Sequence, residues 1–421
     1  MDSMKNDLPQ KNIPEGWEMI PAGDVFSFVK TFAFSRENLC GGDLENGDIG
    51  NIHYGDIHST FSSPSIDLAK VKIPTIKDRD FTPKPPAFLK DGDLVMADAS
   101  EDYEGVGVTV SIHGIGKKKV VGGLHTFVLR DNKHRTDEYY RQYIFRNPLV
   151  RNALQKVANG VSVYGISKTS VSKVLLPIPP LSEQKRIADV LKTWDRAINT
   201  LDKEIAVKKE AKRGLMQELL TGKKRLPGFK EAWKKVKLGD VVIIKRGDAL
   251  SKSSLVQGSV PVIAGGQKPA YFHRESNRNG LTITVSGSGA YAGYVDFYDC
   301  PIFVSDAMSV QEKILNIHFA YFFLKLRQNY IYSLQTGGAQ PHIYPKDLQR
   351  LKLDIPDSRK EQSEIANVLV TADKEIISLE RKIKILQEQR RYLLNNLITG
   401  AIRLASAEIK VGKVKSTTTA A

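Results

Sequence analysis

Residues 178–226 read IPPLSEQKRIADVLKTWDRAINTLDKEIAVKKEAKRGLMQELLTGKKRL, and residues 355–404 read IPDSRKEQSEIANVLVTADKEIISLERKIKILQEQRRYLLNNLITGAIRL. From Glu183 and Glu361 onward the two stretches align at a constant offset of 178 residues, without a gap, to the end of each stretch. The matched positions run from a Glu-Gln pair at one end to a Thr-Gly pair at the other. This agreement indicates that the chain contains an internal repeat.

Each copy has the apolar spacing of a long helix that packs against another helix. Apolar residues recur at alternating steps of four and three, which is the heptad spacing of a coiled-coil seam. At 1.5 Å per residue, each helix is predicted to be a rod of roughly 60 Å. Ser358 and Glu361 form a predicted capping box, and Gly222 and Gly400 stand where a helix would end. The predicted seam consists of Ile187, Leu191, Trp194, Ile198, Leu201, Ile205, Leu215 and Leu219 in the first copy and Ile365, Leu369, Ala372, Ile376, Leu379, Ile383, Leu386, Leu393 and Leu397 in the second.

The order of the segments indicates that the two helices are antiparallel. One globular block precedes each helix, and the second block also joins the end of the first helix to the start of the second. A parallel pair would require that block to span the whole rod, whereas an antiparallel pair brings the two ends together. The alternative is that each helix packs only on its own block.

The predicted fold is therefore α+β, with two globular domains separated by an antiparallel pair of long coiled-coil helices in a pseudo-twofold internal repeat. The starts of the blocks repeat too, since Trp17 and Trp233 match at an offset of 216. Strands are predicted at Asp93–Ala97, Gly105–Ile112, Thr126–Leu129, Leu281–Ser286 and Tyr294–Phe297, and helices at Asp137–Arg146 and Ile317–Tyr332. The predicted segments are a loose tail (1–12), a first domain (13–178), a first helix (179–225), a second domain (226–356), a second helix (357–404) and a disordered tail (405–421).

The composition favours a polyanionic partner. The chain has 421 residues, 41% of them apolar, and a formal net charge of +15. Such a balance is typical of proteins that bind nucleic acid, although a solvated basic surface is the alternative. Two cysteines, Cys40 and Cys300, are too few for a disulfide framework, so a reducing cytoplasm is expected. No export signal or membrane-spanning run is found in the sequence.

The sequence has no motif that indicates catalysis. It lacks the P-loop pattern, and Asn147-Pro148-Leu149-Val150 does not match the motif expected of an adenine methyltransferase. The eight histidines show no metal-ligand spacing. We therefore expect a chain that catalyses nothing, binds no cofactor or metal of its own, and serves to bind and position other molecules.

The segment P-P-L-S-E-Q-x-x-I-A-x-V-L at residues 179–191, its copy after Ser358, and the twin L-(L/I)-T-G helix ends resemble the specificity subunit of Type I restriction–modification systems. Short matches at Tyr54–Ile57 and Gly92–Leu94 are also similar to that family. The second copy has Pro356-Asp357 in place of Pro-Pro, which affects only the turn into the helix. The resemblance covers essentially the whole chain.

The resemblance implies a role and a set of partners. Each globular domain would be a target-recognition domain that reads one half of a split, asymmetric site in double-stranded DNA, and the helix pair would fix the unread spacer. The expected protein partners are two methyltransferase subunits, which use S-adenosylmethionine, and motor-nuclease subunits, which use ATP and Mg²⁺. The expected location is the cytoplasm of a bacterium or archaeon.

Residue types suited to phosphate and base contacts cluster in both domains. Each of them is alternatively a solvated surface residue. Three cations interrupt the seam, Lys208, Lys212 and Arg390, and they either extend over the interface or contact DNA or a methyltransferase subunit. The DNA-binding candidates are Lys70, Lys72, Lys77, Arg79, Lys117, Lys118, Lys119, Lys245, Arg246, Gln267, Lys268, Arg274, Asn277, Arg278, Gln340 and His342.

Two other functions remain compatible with these patterns. A coiled-coil scaffold that presents two protein-binding domains would also have a charged rod and a repeat. A specificity subunit that serves a methyltransferase without a restriction partner would have the same sequence features, because the motor-nuclease is a separate chain.

Overall fold

The computed structural model describes residues 13–404, apart from Ser62 and the side chain of Lys252. The predicted tails at 1–12 and 405–421 lie outside the described residues. The chain divides into two compact units. The first contains the residues up to Ile198 together with those from Leu386 onward, and the second contains Asn199–Ile385. Each unit is thus built from one globular domain and a part of both long helices.

The first unit has two larger sheets and two pairs of strands. Five strands form a sheet in the order β2-β11-β7-β9-β5, and four form a sheet in the order β10-β4-β6-β3. Strands β1 and β13 pair antiparallel, as do β8 and β12. The strands are β1 (Glu18–Pro21), β2 (Ser27–Val29), β3 (Leu39–Cys40), β4 (Ile49–Ile52), β5 (Ser65–Asp67), β6 (Thr75–Ile76), β7 (Leu94–Ala97), β8 (Ala99–Ser100), β9 (Thr109–His113), β10 (Lys119–Gly122), β11 (Thr126–Arg130), β12 (Tyr164–Gly165) and β13 (Leu175–Ile178). The helices are α1 (Ala22–Val25), α2 (Tyr54–Ser59), α3 (Glu138–Ile144), α4 (Pro148–Lys156), α5 (Lys168–Lys173) and the long α6 (Leu181–Leu219), which starts in this unit.

The second unit repeats this plan with fewer strands. A four-stranded sheet has the order β15-β21-β18-β19, a three-stranded sheet has the order β17-β16-β20, and β14 pairs antiparallel with β22. The strands are β14 (Lys234–Lys237), β15 (Val242–Arg246), β16 (Val260–Ile263), β17 (Tyr271–His273), β18 (Thr282–Ser286), β19 (Val295–Tyr298), β20 (Phe303–Val304), β21 (Ala307–Glu312) and β22 (Lys352–Ile355). The helices are α7 (Leu238–Val241), α8 (Ile317–Leu326), α9 (Gln328–Ser333), α10 (Pro345–Gln349) and the long α11 (Arg359–Thr399), which starts in this unit.

A central strand and one amphipathic helix supply much of the core of each domain. Every residue of β7 and of β18 is buried. The core helix is α3 in the first unit and α8 in the second, and each starts at an Asx residue. The side chain of Asp137 accepts hydrogen bonds from two backbone N–H groups of α3, and Asn316 does the same for α8. The two helices contribute the buried rings of Tyr140 and Phe319.

The long helices run antiparallel within each unit. In the first unit, Glu183 near the start of α6 is paired with Arg403, just beyond the end of α11, and Asp195 is paired with Arg390. Residue numbers therefore rise along one helix as they fall along the other. In the second unit, Lys212 is paired with Asp373, and Arg225 is paired with Glu361. The predicted antiparallel arrangement is confirmed, and so is the α+β class with its internal repeat.

All the residues of the predicted seam are buried or half-buried. Ile187, Leu191, Leu201, Ile205, Leu219, Ile365, Leu369, Ile376, Ile383 and Leu397 are buried, and Trp194, Ile198, Leu215, Ala372, Leu379, Leu386 and Leu393 are half-buried. These side chains do not all pack in the same way. Near each globular domain the seam merges with the domain core, since Ile187 and Leu191 belong to the core of the first unit and Ile365 and Leu369 to that of the second.

Both helices end in the same way. Gly222 and Gly400 have φ values of +70° and +71°, a left-handed conformation that glycine adopts without strain. Beyond the glycine, the N–H of Lys224 donates to the carbonyl of Glu218, and the N–H of Ile402 donates to that of Asn396, each at 3.1 Å. The glycines therefore stop the helices, as predicted. Within the described residues, no helix combines the length and the apolar character needed to cross a membrane.

Candidate nucleic-acid interface

A buried glutamate fastens the end of one long helix to the start of the other in each unit. Glu183 accepts hydrogen bonds from Nε and Nη2 of Arg403 at 2.7 and 2.9 Å and from Nε1 of Trp17 at 3.1 Å. The guanidinium of Arg403 also lies over the Trp17 ring, with its Cζ 5.9 Å from the ring centre. Burial acts to raise the pKa of Glu183, but the hydrogen bonds from Arg403 and Trp17 outweigh it and hold the pKa below its usual value.

The second unit contains the same arrangement. Glu361 accepts hydrogen bonds from Nε and Nη2 of Arg225 at 2.7 and 2.8 Å and from Nε1 of Trp233 at 3.3 Å. Its side chain is only 1% exposed. We call each set of glutamate, arginine and tryptophan a latch. The latches explain why Glu, Trp and the final Arg recur in the repeat.

The glutamine next to each latch ties the long helix to the start of the core helix. Gln184 accepts a hydrogen bond from the N–H of Asp137 at 2.8 Å and donates to the carbonyl of Pro179 at 2.8 Å. Gln362 accepts from the N–H of Asn316 at 2.9 Å and donates to the carbonyl of Pro356 at 3.0 Å. The Glu-Gln pair is therefore a structural joint that orients each globular domain on its helix.

The three cations that interrupt the seam form ion pairs across it. Lys208 is 2.6 Å from Glu375, and Lys212 is paired with Asp373. Arg390 is paired with Asp195 and donates to the hydroxyl of Tyr143 at 2.8 Å. These contacts favour a role in holding the two helices together, which was one of the two alternatives left open by the sequence.

The two short matches at Tyr54–Ile57 and Gly92–Leu94 are structural as well. Asp56 accepts from the N–H of His53 at 2.9 Å in a capping box at the start of α2, and it pairs with Arg36 at 2.6 Å. Asp93 is buried and accepts a bidentate pair of hydrogen bonds from Arg130 at 2.9 and 2.6 Å. Both carboxylates stabilise turns next to strands, so neither is available for DNA.

In the first unit, the fold brings several of the basic candidates to one end of the four-stranded sheet. Strand β4 pairs with β10 in parallel, with Lys119 opposite Ile49, and with β6 in the antiparallel direction, with Thr75 opposite Gly50. The segment that follows β6 and the segment that precedes β10 therefore both flank the start of β4. These segments and the first residue of β10 carry Lys77, Arg79, Lys117, Lys118 and Lys119.

The candidates at this end of the sheet differ in how free they are. Arg79, Lys117 and Lys119 are exposed. Lys77 is also exposed, but its Nζ donates to the carbonyl of Glu37. The side chain of Lys118 is only 13% exposed and pairs with Glu45 at 2.7 Å.

The remaining candidates of the first unit, Lys70 and Lys72, precede β6 and lie away from that end. Both side chains are exposed, and Lys70 is paired with Asp67 at 2.6 Å. The pair is itself exposed, so it contributes little to stability and leaves the lysine free to exchange partners.

In the second unit, several loops converge at one end of the four-stranded sheet. Arg246, at the end of β15, is opposite Met308, and the end of β18 is opposite Ala307, so both strands end where β21 begins. Ser286 donates to the carbonyl of Gly266 at 3.1 Å, and the N–H of Gly289 donates to the carbonyl of Pro341 at 3.0 Å. These contacts bring Arg246, Gln267, Lys268, Gln340 and His342 to the same end of the sheet.

Four of these five candidates are exposed, and so are Lys245 and Arg274; His342 is half-buried. The backbone of His342 forms isolated bridges with Ser288 and Thr336, which shape the turn that presents Gln340. The positive φ of +98° at Gly337 permits that turn.

Two predicted candidates point into the domain. Arg278 donates to the hydroxyl of Ser309 at 2.8 Å and to the carbonyl of Arg246 at 2.9 Å, and its side chain is 11% exposed. Asn277 donates to Asp248 and to the carbonyl of Val304, both at 2.8 Å. Both side chains therefore hold the loop in place, which makes Arg274 the better probe of DNA contact in this segment.

The sequence reasoning overlooked two exposed aromatic rings. Tyr271 and Phe272 on β17 are 46% and 56% exposed. They lie between Lys268 and Arg274, and aromatic side chains beside cations are typical of surfaces that bind single-stranded nucleic acid. This signal was present in the sequence, but the predictions considered polar residues only.

Among the described residues, no group of three or more His, Cys, Asp and Glu side chains is placed to hold a metal ion. The titratable groups that burial and neighbouring charges perturb most strongly are tyrosines. Burial and a hydrogen bond to Asp195 raise the pKa of Tyr139, and burial and the charge of Asp296 raise the pKa of Tyr298. A neutral phenol beside a carboxylate is a hydrogen-bond donor, so these tyrosines are suited to packing and positioning.

Comparison with known proteins places this architecture in a family. A model of the Type I restriction modification DNA specificity domain matches residues 14–209 and 230–388. Two specificity subunits of type I restriction enzymes from Methanocaldococcus jannaschii, MjaX and MjaVIII, are 26% and 25% identical to the chain. Each match covers 93% of this chain, together with 95% of the MjaX subunit and 94% of the MjaVIII subunit.

Solved structures show the same fold. The crystal structure of the S subunit of a type I restriction–modification system from M. genitalium matches with a TM-score of 0.56 and 16% identity, over 92% of this chain and 97% of that one. A chain from a structural study of complex assembly and conformational transition in a type I R-M system matches with a TM-score of 0.57 and 17% identity, over 93% of this chain and 99% of that one. Because the family model matches both repeats, the chain belongs to the family of type I restriction–modification DNA specificity proteins.

Proposed function

We propose that this chain is the non-catalytic DNA specificity subunit of a type I restriction–modification complex. Its two target-recognition domains, residues 13–178 and 226–356, each bind one half of a split, asymmetric site in double-stranded DNA. The helical segments, residues 179–225 and 357–404, hold the domains at a fixed spacing. The observation that carries this proposal is the repeated joint of latch and glutamine, which fastens two dissimilar domains to the helices in the same way.

The joints support a division of labour within the chain. The two latches use the same three residue types, and the glutamines make equivalent bonds. In contrast, the exposed candidates differ, with a basic set beside β4 in the first unit and a mixed set of Arg, Lys and Gln beside β18 in the second. Amide and guanidinium groups read base edges, and ammonium groups favour phosphates. Different sets on a common frame would read different half-sites.

The catalytic steps of the complex belong to other chains in this proposal. Two methyltransferase subunits, which bind S-adenosylmethionine, would dock on the helix pair and methylate adenines of the site. Motor-nuclease subunits, which use ATP and Mg²⁺, would join to cut unmodified DNA. This chain recognises the target, fixes the distance between the two half-sites and provides the surface on which the methyltransferase subunits dock.

The test is to co-express the chain with its methyltransferase partner and to sequence the host DNA for methylated adenines. We expect a split motif, with two short half-sites around a gap of constant length. If the two proteins form a soluble complex and the DNA carries no new methylation, the proposal fails. A titration of DNA binding at several salt concentrations then distinguishes a DNA-binding chain from a protein-binding scaffold.

A further inference from the structure

The second unit contains a basic cleft that lies outside the loops considered above. It has a volume of about 670 Å³ and lies where the C-terminal half of α6 meets the turn between α8 and α9. Four cations line it, Lys212, Arg213, Lys325 and Arg327, together with amides that include Gln217 and Asn329. No carboxylate is among the lining residues. Phosphate groups bind where cations and amide donors come together and no negatively charged side chain lies among them.

Two of the cations are fixed on the floor of the cleft. Lys212 lies 5.2 Å from the centre of the Phe322 ring and is paired with Asp373. Lys325 donates to the carbonyl of Val295 at 3.0 Å and lies 4.9 Å from the centre of the Tyr294 ring. Burial lowers the pKa of Lys325, and among the described residues Lys325 has no ion-pair partner. Asp296 and Asp373 act to raise the pKa of Lys325 without forming an ion pair with it, and an anion in the cleft would stabilise its charge further.

The other two cations are free at the rim. Arg213 is exposed, and its only ion pair among the described residues is with Glu210 at 3.3 Å, on the same helix and equally exposed. Such a surface pair contributes little and exchanges readily. Arg327 is exposed and packs on the Phe323 ring, and no described carboxylate pairs with it. Both guanidinium groups can therefore turn to a ligand without breaking a buried contact.

The residues that α6 contributes to the cleft recur on α11 in the other unit. At an offset of 178 residues, Lys212, Arg213 and Gln217 correspond to Arg390, Arg391 and Asn395. Arg390 is held as Lys212 is, by an aspartate of the partner helix and by an aromatic ring, with its Cζ 5.9 Å from the centre of the Tyr143 ring. The two half-sites of a split target differ in their bases. Residues that recur in both units are therefore expected to bind a group that both half-sites contain, which is the phosphate backbone.

We propose that the cleft of the second unit, and the corresponding set in the first, bind DNA phosphates outside the base-reading loops. This inference rests on the proposed function and adds to it a binding site for a sequence-independent ligand. The helices would then do more than set a spacing, because they would contribute affinity that is the same for every target. Each domain would add only the discrimination between bases.

The test removes the two rim cations and measures how DNA binding depends on salt. The variant is Arg213→Gln with Arg327→Gln, and the control is Lys203→Gln with Lys384→Gln, which removes the same charge from exposed positions on the two helices of the same unit. The full-length chain, in complex with its methyltransferase, is titrated into two fluorescent duplexes. One duplex carries the motif identified by sequencing methylated adenines, and the other has a scrambled sequence. Circular dichroism verifies that each variant is folded.

Each phosphate contact contributes about 0.9 to the slope of log K against log salt concentration. We expect the cleft variant to have a slope shallower by roughly 1 to 2 and to bind both duplexes roughly tenfold more weakly at about 0.1 M salt. The control should retain the slope of the unaltered chain. An unchanged slope in the cleft variant, or an equal change in the control, would overturn the inference.

Two further outcomes separate this inference from the proposed function. If the cleft variant no longer co-purifies with the methyltransferase, while the salt slope of the variant chain alone equals that of the unaltered chain alone, the cleft serves an acidic protein partner and the inference fails. If the unaltered chain shows no salt-dependent binding to either duplex, the proposed function itself fails.

Discussion

The latch of the second unit allows a quantitative prediction. The Glu361 carboxylate is 1% exposed and accepts two hydrogen bonds from Arg225 and one from Trp233. Glu361→Gln keeps the shape of the side chain but removes its charge and one of its two acceptor oxygens. Removing one partner of a buried ion pair costs about 3–5 kcal/mol. Because Arg225 is 26% exposed and regains some water, we expect about 3 kcal/mol, at the lower end of that range.

The assay is urea unfolding followed by tryptophan fluorescence, because Trp233 is itself part of the latch. In a unit of this size, the expected loss corresponds to a decrease in Tm of about 6–12 °C. The control is Asp357→Asn, which breaks the neighbouring pair between Asp357 and Lys234, in which the side chains are 53% and 62% exposed. That change should cost less than about 1 kcal/mol. Equal losses in the two variants, or a loss below about 1 kcal/mol for Glu361→Gln, would refute the latch as a stabilising contact.

Three other predictions follow from the same contacts. The pKa of Glu183 is held below its usual value of 4.5, so the ionised carboxylate stabilises the fold above that pH, and this stabilisation is lost as the pH falls through the lowered pKa. Glu183→Gln should therefore lose less stability between about pH 5 and pH 3 than the unaltered chain. Identical pH profiles of the two proteins would contradict the assignment. Arg274→Ala should weaken DNA binding without changing the free energy of unfolding. Arg278→Ala should instead lower the free energy of unfolding by about 2 kcal/mol, because its hydrogen bonds are lost. The reverse pattern in binding titrations and urea unfolding would show that Arg278 is the DNA contact. Leu379→Asp should reduce the free energy of unfolding by about 3 kcal/mol, because it places a charge in the seam. The control Ile377→Asp, at an exposed position two residues away, should change the free energy of unfolding little. Equal effects of the two variants in thermal melts would exclude a seam at Leu379.

The long helices could be predicted from sequence because their signal is periodic and repeated. The heptad steps fix which face is apolar, and the position of the second block between the helices fixes their direction. The helix ends predicted at Gly222 and Gly400 depend on local sequence, and both glycines have a left-handed backbone in the structure. The five predicted strands are present, with ends that shift by at most four residues, as in the strand predicted at Gly105–Ile112, which is Thr109–His113 in the structure; most of the other strands were not predicted.

Contacts between residues distant in sequence could not be predicted. The predicted helix at Ile317–Tyr332 is two helices, α8 and α9, because the chain turns at Arg327. The roles of Glu183 and Gln184 depend on Arg403 and Asp137, which lie far away along the chain. The repeated motif therefore indicated the family but not the structural role of its residues.

The orientation of polar loop residues was equally out of reach. Arg274 and Arg278 are four residues apart and chemically identical, yet one is exposed and the other holds the end of β15 in place. The difference arises because Arg278 lies beside Ser309 of β21, a neighbour that only the fold supplies. Candidate lists based on residue type alone therefore mix contacts to DNA with contacts that stabilise the domain.

The central claim is that each recognition domain reads one half of a split DNA site while the helices set the gap. The most direct measurement is to replace residues 13–178 with the corresponding domain of a relative whose target is established, co-express the hybrid with the methyltransferase, and sequence the methylated adenines. We expect one half-site to change to that of the relative, while the other half-site and the length of the gap stay the same. A change in both half-sites, or methylation of an unsplit site, would contradict it.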